Sequence, residues 1–188
     1  MKKFKVKISG IAPFLMARHP LPNEQEEILN RHVGTGKGAK KVKDLSDEEQ
    51  YEMHAYKTKE GKYFLASVMI EASMTKAAAS FKMEGKKTFK DCMKGGIIVD
   101  PDEIVFKQQN FVADGRWAVN ASSRGSVWVV RPRIDKWDAE FSLTLLQDER
   151  VSEDILKQIL EYAGLYVGVG AWRPKFGRFE VKSFEEIE

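Results

Sequence analysis

The fold is decided by residues 139–184, which read AEFSLTLLQDERVSEDILKQILEYAGLYVGVGAWRPKFGRFEVKSF. Over 139–146 apolar and polar residues alternate, as in a strand with one buried face. Ser152 is then placed to cap a helix, in which apolar residues recur at helical spacing until Gly168 ends it. Alternation returns over 176–184. The segment therefore predicts a strand, a helix, a glycine-rich loop and a final strand.

The residues before this segment supply the other strands. Phe4, Val6 and Ile8 alternate with lysines and predict an opening strand. Further strands are predicted at 97–99, 104–106 and 127–134. With the helices described next, these strands predict an α+β fold: a ferredoxin-like, RRM-like antiparallel sheet with helices on one face.

Three more helices are predicted upstream. A capping box at 46–49 predicts a helix that runs to about residue 56. An Ala- and Met-rich stretch predicts a buried helix over 67–81. Its predicted buried face consists of Val68, Ala72, Ala79 and Met83. A short helix at 88–93 should stop at the following glycine pair.

Length and composition favour one globular domain. The chain has 188 residues, of which 43% are hydrophobic and 31% charged. We predict a single domain over 1–188 with a flexible basic insertion at 18–45, where periodicity is lost and prolines and glycines accumulate. Cys92 is the only cysteine, which excludes an internal disulfide and a cysteine-rich zinc site. No signal peptide and no membrane span are recognisable, so the cytoplasm is the expected compartment.

The net charge is only +3, but the basic residues are clustered. The stretches 28–43, 115–136 and 172–179 are rich in Lys and Arg and contain one acid between them, Asp135. The candidate phosphate contacts of the first stretch are Arg31, Lys37, Lys40, Lys41 and Lys43. Such clustering allows one positive face, as in proteins that bind nucleic acid. Solvated loops that share no face would give the same pattern.

The loop at 168–181, GVGAWRPKFGRFEV, is the most informative binding segment. Its candidate contact residues are Gly168, Gly170, Trp172, Arg173, Lys175 and Arg178. The glycines allow close backbone approach to an anion, the cations neutralise phosphates, and Trp172 and Phe176 offer rings for base stacking. A glycine helix stop, an aromatic core anchor and a final strand would explain the same residues.

A polar loop at 120–125 offers a further candidate contact. Arg124 lies within it, and Arg116 and Trp117 lie just before it. Small hydroxyl groups, an amide and arginines suit contacts to sugar and phosphate. A long hairpin loop without a binding role is the alternative.

Enzymatic signals are sparse. The sequence at 34–41 has neither the spacing nor the Ser/Thr of a phosphate-binding P-loop. His19 and His32 lie in the basic insertion, where a histidine could act as the general base of a ribonuclease. Nothing near them in sequence would orient them. We therefore predict no catalytic residue, with His19 and His32 as the weak candidates, and no metal or cofactor.

Four segments together resemble a known family. They are the opening strand that ends at Gly10, IEASMTKAA at 70–78, WDAEF at 137–141, and the late helix that runs into the loop at 168–181. In this order they resemble the RAMP superfamily, the RNA-recognition-motif-like proteins that include backbone subunits of CRISPR effector complexes, and most of all its small phage-encoded members. The resemblance implies a ferredoxin-like core, RNA contact through the glycine loop and the basic insertion, and side-by-side oligomers along a strand.

The function predicted from the sequence is non-catalytic binding of single-stranded nucleic acid, RNA rather than DNA, by a phage-encoded protein. The expected partners are single-stranded RNA or DNA, further copies of the chain, and a host or phage protein complex, with no membrane. One alternative is a counter-defence protein that mimics a nucleic-acid-binding subunit or sequesters a small nucleotide. Another is a metal-independent ribonuclease.

Overall fold

The computed structural model describes residues 1–19, 45–83, 85–119, 125–146 and 150–187. The described strands are β1 (Lys2–Gly10), β2 (Phe14–Leu15), β3 (Phe64–Ala66), β4 (Ile97–Asp100), β5 (Glu103–Val105), β6 (Val112–Val119), β7 (Ser126–Ile134), β8 (Asp138–Leu145) and β9 (Phe179–Ile187). The described α-helices are α1 (Asp47–His54), α2 (Ser67–Ala77), α3 (Lys90–Gly96) and α4 (Glu153–Tyr162). A 3-10 turn (Ala78–Ser80) follows α2 and a π-helical turn (Ala163–Val167) follows α4. None of these helices is long and apolar enough to span a membrane.

The chain divides into two compact units. The first unit comprises Met1–Phe14, Lys57–Gln109 and Asp135–Glu188, and the second comprises Leu15–Tyr56 and Asn110–Ile134. A single domain over the whole chain stays a prediction. The predicted basic insertion lies outside the described residues except at its two ends.

The first unit contains a four-stranded antiparallel sheet in the order β4-β8-β1-β9. Along the chain its main elements run β1, α2, β4, β8, α4 and β9, which is the βαββαβ order of ferredoxin-like folds. The predicted fold class is therefore confirmed.

Alternation along the strands explains why helices cover only one face of this sheet. Phe4, Val6 and Ile8 of β1 are at most 1% exposed, whereas the lysines between them are exposed. The apolar residues of β8 are buried in the same alternating way. In α4, Ser152 accepts a hydrogen bond from the Ile155 N–H at 3.3 Å, as the predicted cap requires. Leu156, Ile159 and Leu160 of that helix are fully buried.

The predicted buried face of α2 is wrong. Val68 is 62% exposed, and Ala72 and Ala79 are exposed as well. The buried side of the helix consists of Ser67, Ile70, Ser73, Met74 and Ala77. The Ser73 hydroxyl is tolerated there because it donates to the carbonyl oxygen of Gly168 at 3.0 Å. Hydrophobicity alone could not reveal that partner, 95 residues further along the chain.

The second unit is built on α1, β6 and β7, and β6 and β7 belong to a three-stranded sheet in the order β2-β7-β6. The predicted capping box forms: Ser46 Oγ accepts from the Glu49 N–H, and the Glu49 carboxylate accepts from the Ser46 N–H. Gln50 is only 4% exposed. Its Oε1 accepts from the Val130 N–H at 3.1 Å, and its Nε2 donates to the Leu45 carbonyl oxygen at 3.2 Å. This side chain joins α1 to β7.

Several strand predictions need correction. The final strand begins at Phe179 rather than at residue 176, because the preceding residues close a tight loop. The strands β3 and β6 were not anticipated. The predicted strands at 97–99 and 104–106 are present but belong to different sheets, since β4 pairs with β8 and β5 pairs with β3.

Candidate nucleic-acid interface

The glycine loop (168–178) has a backbone that glycines make possible. Gly168, Gly170 and Gly177 have φ values of 74°, 77° and 72°, in the left-handed region that other residues avoid. Trp172 also has a positive φ, of 52°. At Gly177 a Cβ atom would overlap the carbonyl oxygen of Val169. The residue type at this position is therefore fixed by the close approach of two backbone segments.

Hydrogen bonds fix the shape of the loop. The Gly168 N–H donates to the Ala163 carbonyl oxygen at 2.7 Å, which closes the end of the preceding helix. The Val169 N–H donates to the Gly177 carbonyl oxygen at 2.9 Å, and the Gly177 N–H donates to the Pro13 carbonyl oxygen at 2.8 Å. The loop is thus tied to itself and, through Pro13, to the segment that follows β1. A loop held in this way presents its side chains from a fixed backbone.

The side chains of the glycine loop divide into exposed cations and a buried anchor. Arg173, Lys175 and Arg178 are exposed. Trp172 is half-buried, with its ring centroid 6.3 Å from that of Phe176. Phe176 is only 4% exposed, so it packs in the core and offers no face for a base. Gly168 is buried with its N–H and its carbonyl both hydrogen bonded, and it shapes the loop.

The strands β6 and β7 form a hairpin with two tryptophans directly opposite each other, here called the tryptophan hairpin. Trp117 pairs with Trp128 across the strands, and their ring centroids are 5.6 Å apart at 66°. Trp117 is 68% exposed. Trp128 lies against Gly115, where a Cβ would overlap the indole, and its Nε1 donates to Asp47 at 3.0 Å. The Trp128 ring is thus held by Gly115 and Asp47, while the Trp117 ring faces solvent.

On the face of β6 and β7 opposite to the two tryptophans, the side chains form a charged cluster. Arg116 donates from Nε and Nη2 to the two carboxylate oxygens of Asp114, and Arg133 Nη1 donates to the same group at 3.0 Å. The hydrogen bond from Arg116 is the main reason why the pKa of Asp114 is lowered. Arg131 faces Asp114 across the strands, and burial lowers its pKa. The basic stretch 115–136 already grouped Arg116 with Arg133, but their shared partner Asp114 was missed because β6 was not predicted.

Several predicted contact residues lie outside the described part of the chain. They are Arg31, His32, Lys37, Lys40, Lys41, Lys43 and Arg124. His19 is described and exposed. His54 is half-buried, with Nδ1 3.1 Å from the Arg18 carbonyl oxygen, and burial lowers its pKa. Within the described ranges no group of three or more His, Cys, Asp or Glu side chains could hold a metal.

The open face of the four-stranded sheet carries paired charges. Lys5 Nζ is 2.8 Å from a Glu140 carboxylate oxygen, and Lys7 Nζ is 3.8 Å from the other. The hydrogen bond with Lys5 is the largest cause of a lowered pKa at Glu140. In the described strands of this sheet no aromatic residue alternates onto that face. It therefore lacks the stacking rings with which RNA-recognition motifs bind bases.

Comparison with known proteins links the chain to others through its fold. No family model and no curated protein matches it. Among solved structures, a chain from the cryo-EM structure of the Type III-B Cmr-beta bound to cognate target RNA matches with a TM-score of 0.52 and 15% identity. At this identity the match shows a shared fold. The match covers 100% of this chain and 61% of the other, so this chain spans less than two thirds of its neighbour's length.

Proposed function

We propose that this chain is a non-catalytic protein that binds single-stranded nucleic acid, RNA in preference to DNA. The observation that carries the proposal is the glycine loop, where Arg173, Lys175 and Arg178 are exposed on a backbone fixed by hydrogen bonds. Because the backbone of the loop is already fixed, binding of a phosphate has to order the side chains alone. The shared fold supports the proposal, since the neighbouring structure was determined with bound target RNA.

The tryptophan hairpin supplies a second kind of contact. A base has a flat face that stacks on an exposed aromatic ring, and such stacking tolerates any sequence. Trp117 offers such a ring, and Trp128 supports it from the neighbouring strand. Stacking of this kind needs an unpaired base, which favours single strands over duplex.

Removal of two loop cations tests the phosphate contact. We expect Arg173→Ala with Arg178→Ala to lower RNA affinity and to reduce the slope of log affinity against log salt by about 1.4, since each phosphate contact to a single strand contributes about 0.7. Fluorescence anisotropy with labelled single-stranded RNA, single-stranded DNA and duplex DNA over a salt series gives both quantities. Lys59→Ala with Lys62→Ala removes two exposed cations from a turn of the same unit and is the matched control.

The binding results distinguish an error about the glycine loop from an error about the proposed function. Unchanged binding by a correctly folded arginine variant would remove the glycine loop from the interface. Absence of binding by the unaltered chain to every probe at low salt would refute the proposed function. Product formation from RNA without added metal would refute its non-catalytic character.

Trp117→Ala should weaken binding to single-stranded RNA by about 5- to 160-fold, because one base-aromatic stack contributes about 1–3 kcal/mol. The salt slope should not change, because no charge is removed. Trp117→Phe keeps an aromatic face and should retain most of the affinity. The same anisotropy titration measures the RNA affinity of the two Trp117 variants. An equal loss of affinity in Trp117→Ala and Trp117→Phe would argue against stacking.

A further inference from the structure

A lysine-rich segment outside the glycine loop and the tryptophan hairpin contributes another charged surface. Between residues 76 and 94 the sequence has two acids, Glu84 and Asp91. Its lysines, all exposed, are Lys76, Lys82, Lys86, Lys87, Lys90 and Lys94. None of these lysines has an ion pair with a described acid. The segment therefore carries six exposed lysines against one described acid, Asp91.

The middle of this segment is a turn, and its described residues 81–83 and 85–90 are here called the lysine turn. Lys82 and Thr88 form an antiparallel bridge. The Met83 N–H donates to the Lys87 carbonyl oxygen at 2.9 Å, and Gly85 has a φ of 78°. This backbone holds Lys86 and Lys87 together at the turn. On α3 the next two lysines are four residues apart, which places them on one face of the helix.

Aromatic rings lie directly beside the lysine turn. Phe81, where the turn begins, contacts Tyr162 edge to face, with centroids 5.5 Å apart at 82°. Tyr162 in turn contacts Tyr166 at 4.5 Å and 35°. Tyr166 is 62% exposed, in the π-helical turn after α4. A row of three rings thus leads from the lysine turn to an exposed tyrosine.

We infer that the lysine turn and Tyr166 form a second binding surface for single-stranded nucleic acid, made of residues outside the glycine loop and the tryptophan hairpin of the proposed function. The lysines bind phosphates of the strand, and the exposed ring of Tyr166 stacks with an unpaired base. Ammonium groups suit this role because each meets a phosphate as a point charge, without a required geometry. The exposed ring favours a single strand over an acidic protein, because every base offers a flat face for it.

Neutralising the lysine turn tests the phosphate contact. Lys86→Gln with Lys87→Gln should reduce the salt slope for single-stranded RNA by about 1.4, at 0.7 for each lost phosphate contact. Lys59→Gln with Lys62→Gln is a matched control, because that pair flanks a turn of the same unit in which Gly61 has a φ of 79°. The control should keep the slope of the unaltered chain. An equal reduction in the two double variants would reflect net charge alone and would overturn the inference.

Tyr166 separates a nucleic-acid surface from a general polyanion surface. Tyr166→Ala should lower affinity for single-stranded RNA at least about fivefold, while Tyr166→Phe should retain it. Heparin serves as a polyanion without bases, and its binding should not change in the Tyr166→Ala variant. An unchanged affinity for RNA, or an equal loss for heparin, would overturn the stacking role. Binding of duplex DNA as tight as that of single strands would overturn the preference for single strands.

The arginine variant of the glycine loop keeps this inference distinct from the proposed function. If the lysine variant binds normally and the arginine variant binds weakly, the second surface is refuted and the proposed interface stands. If the lysine variant binds weakly and the arginine variant binds normally, the lysine surface is supported and the glycine loop is not part of the interface. If the lysine variant and the arginine variant each lose binding free energy, and the two losses add when the variants are combined, two independent surfaces are supported.

Discussion

Gly177→Ala should lower the free energy of unfolding by about 2–5 kcal/mol, and binding of nucleic acid by the glycine loop should be lost with it. Two costs combine. A non-glycine residue in the left-handed region costs about 1–2 kcal/mol, and overpacking of a close contact adds about 1–3 kcal/mol. Gly177 has a φ of 72°, and its Cβ would overlap the Val169 carbonyl oxygen. Backbone atoms on each side of the contact leave no flexible side chain to move.

Gly61→Ala separates these two costs. Gly61 has a φ of 79°, but beyond its two chain neighbours no atom of the described residues lies within 4 Å of the position that its Cβ would take. We therefore expect only the conformational cost, about 1–2 kcal/mol, in this variant. Urea unfolding followed by tryptophan fluorescence measures the two values. Equal losses in the two variants would show that the contact between Gly177 and Val169 relaxes without cost.

Gln50→Leu should destabilise the second unit by about 2–4 kcal/mol. The leucine fills a similar volume but leaves the Val130 N–H and the Leu45 carbonyl without the amide that now satisfies them. A buried polar group deprived of its partner costs about 1–3 kcal/mol, and two are affected here. Urea unfolding again gives the magnitude.

Gln158→Leu is the matched control for this change. Gln158 is exposed on α4, so the same substitution there removes no buried hydrogen bond. We expect a change within about 0.5 kcal/mol. A loss for Gln50→Leu no larger than that of the control would mean that the two backbone groups find other partners.

The elements that were predicted correctly owe their structure to nearby residues. Ser46 and Glu49 form a capping box within one turn, and Ser152 caps α4 by itself. Alternation over 139–146 predicts β8 because each strand residue faces the side opposite to its neighbour's. Such patterns are complete within a few residues, so they are readable before any tertiary contact is known.

The errors arose where a distant contact determines the outcome. Val68 looked like a core residue and is exposed, whereas Ser73 is buried because the Gly168 carbonyl satisfies its hydroxyl. The strand β6 has a glycine and charged residues in its sequence, and it forms by pairing with β7. Propensity within β6 gives little indication of that pairing, since strand formation depends on the partner strand.

The candidate interface shows the same division. The exposed Arg173, Lys175 and Arg178 follow from sequence, because a glycine-rich loop between a helix and a strand lies at the surface. The burial of Phe176 does not follow, since any aromatic residue in that loop could stack on a base or pack in the core. The lysine turn was readable as a basic segment, but its aromatic neighbours lie on a different element.

By itself the sequence determined the α+β class, the opening and closing strands of the ferredoxin-like sheet, the capped helices, and the clustering of positive charge. Only the tertiary structure decided which sides of α2 are buried, that Trp117 stands opposite Trp128, and that Phe81 contacts Tyr162 beside the lysines. The physical reason is the separation along the chain of the residues that interact. Backbone periodicity and capping act within a turn or a strand, whereas burial and ring contacts depend on chain segments that meet only in the folded protein.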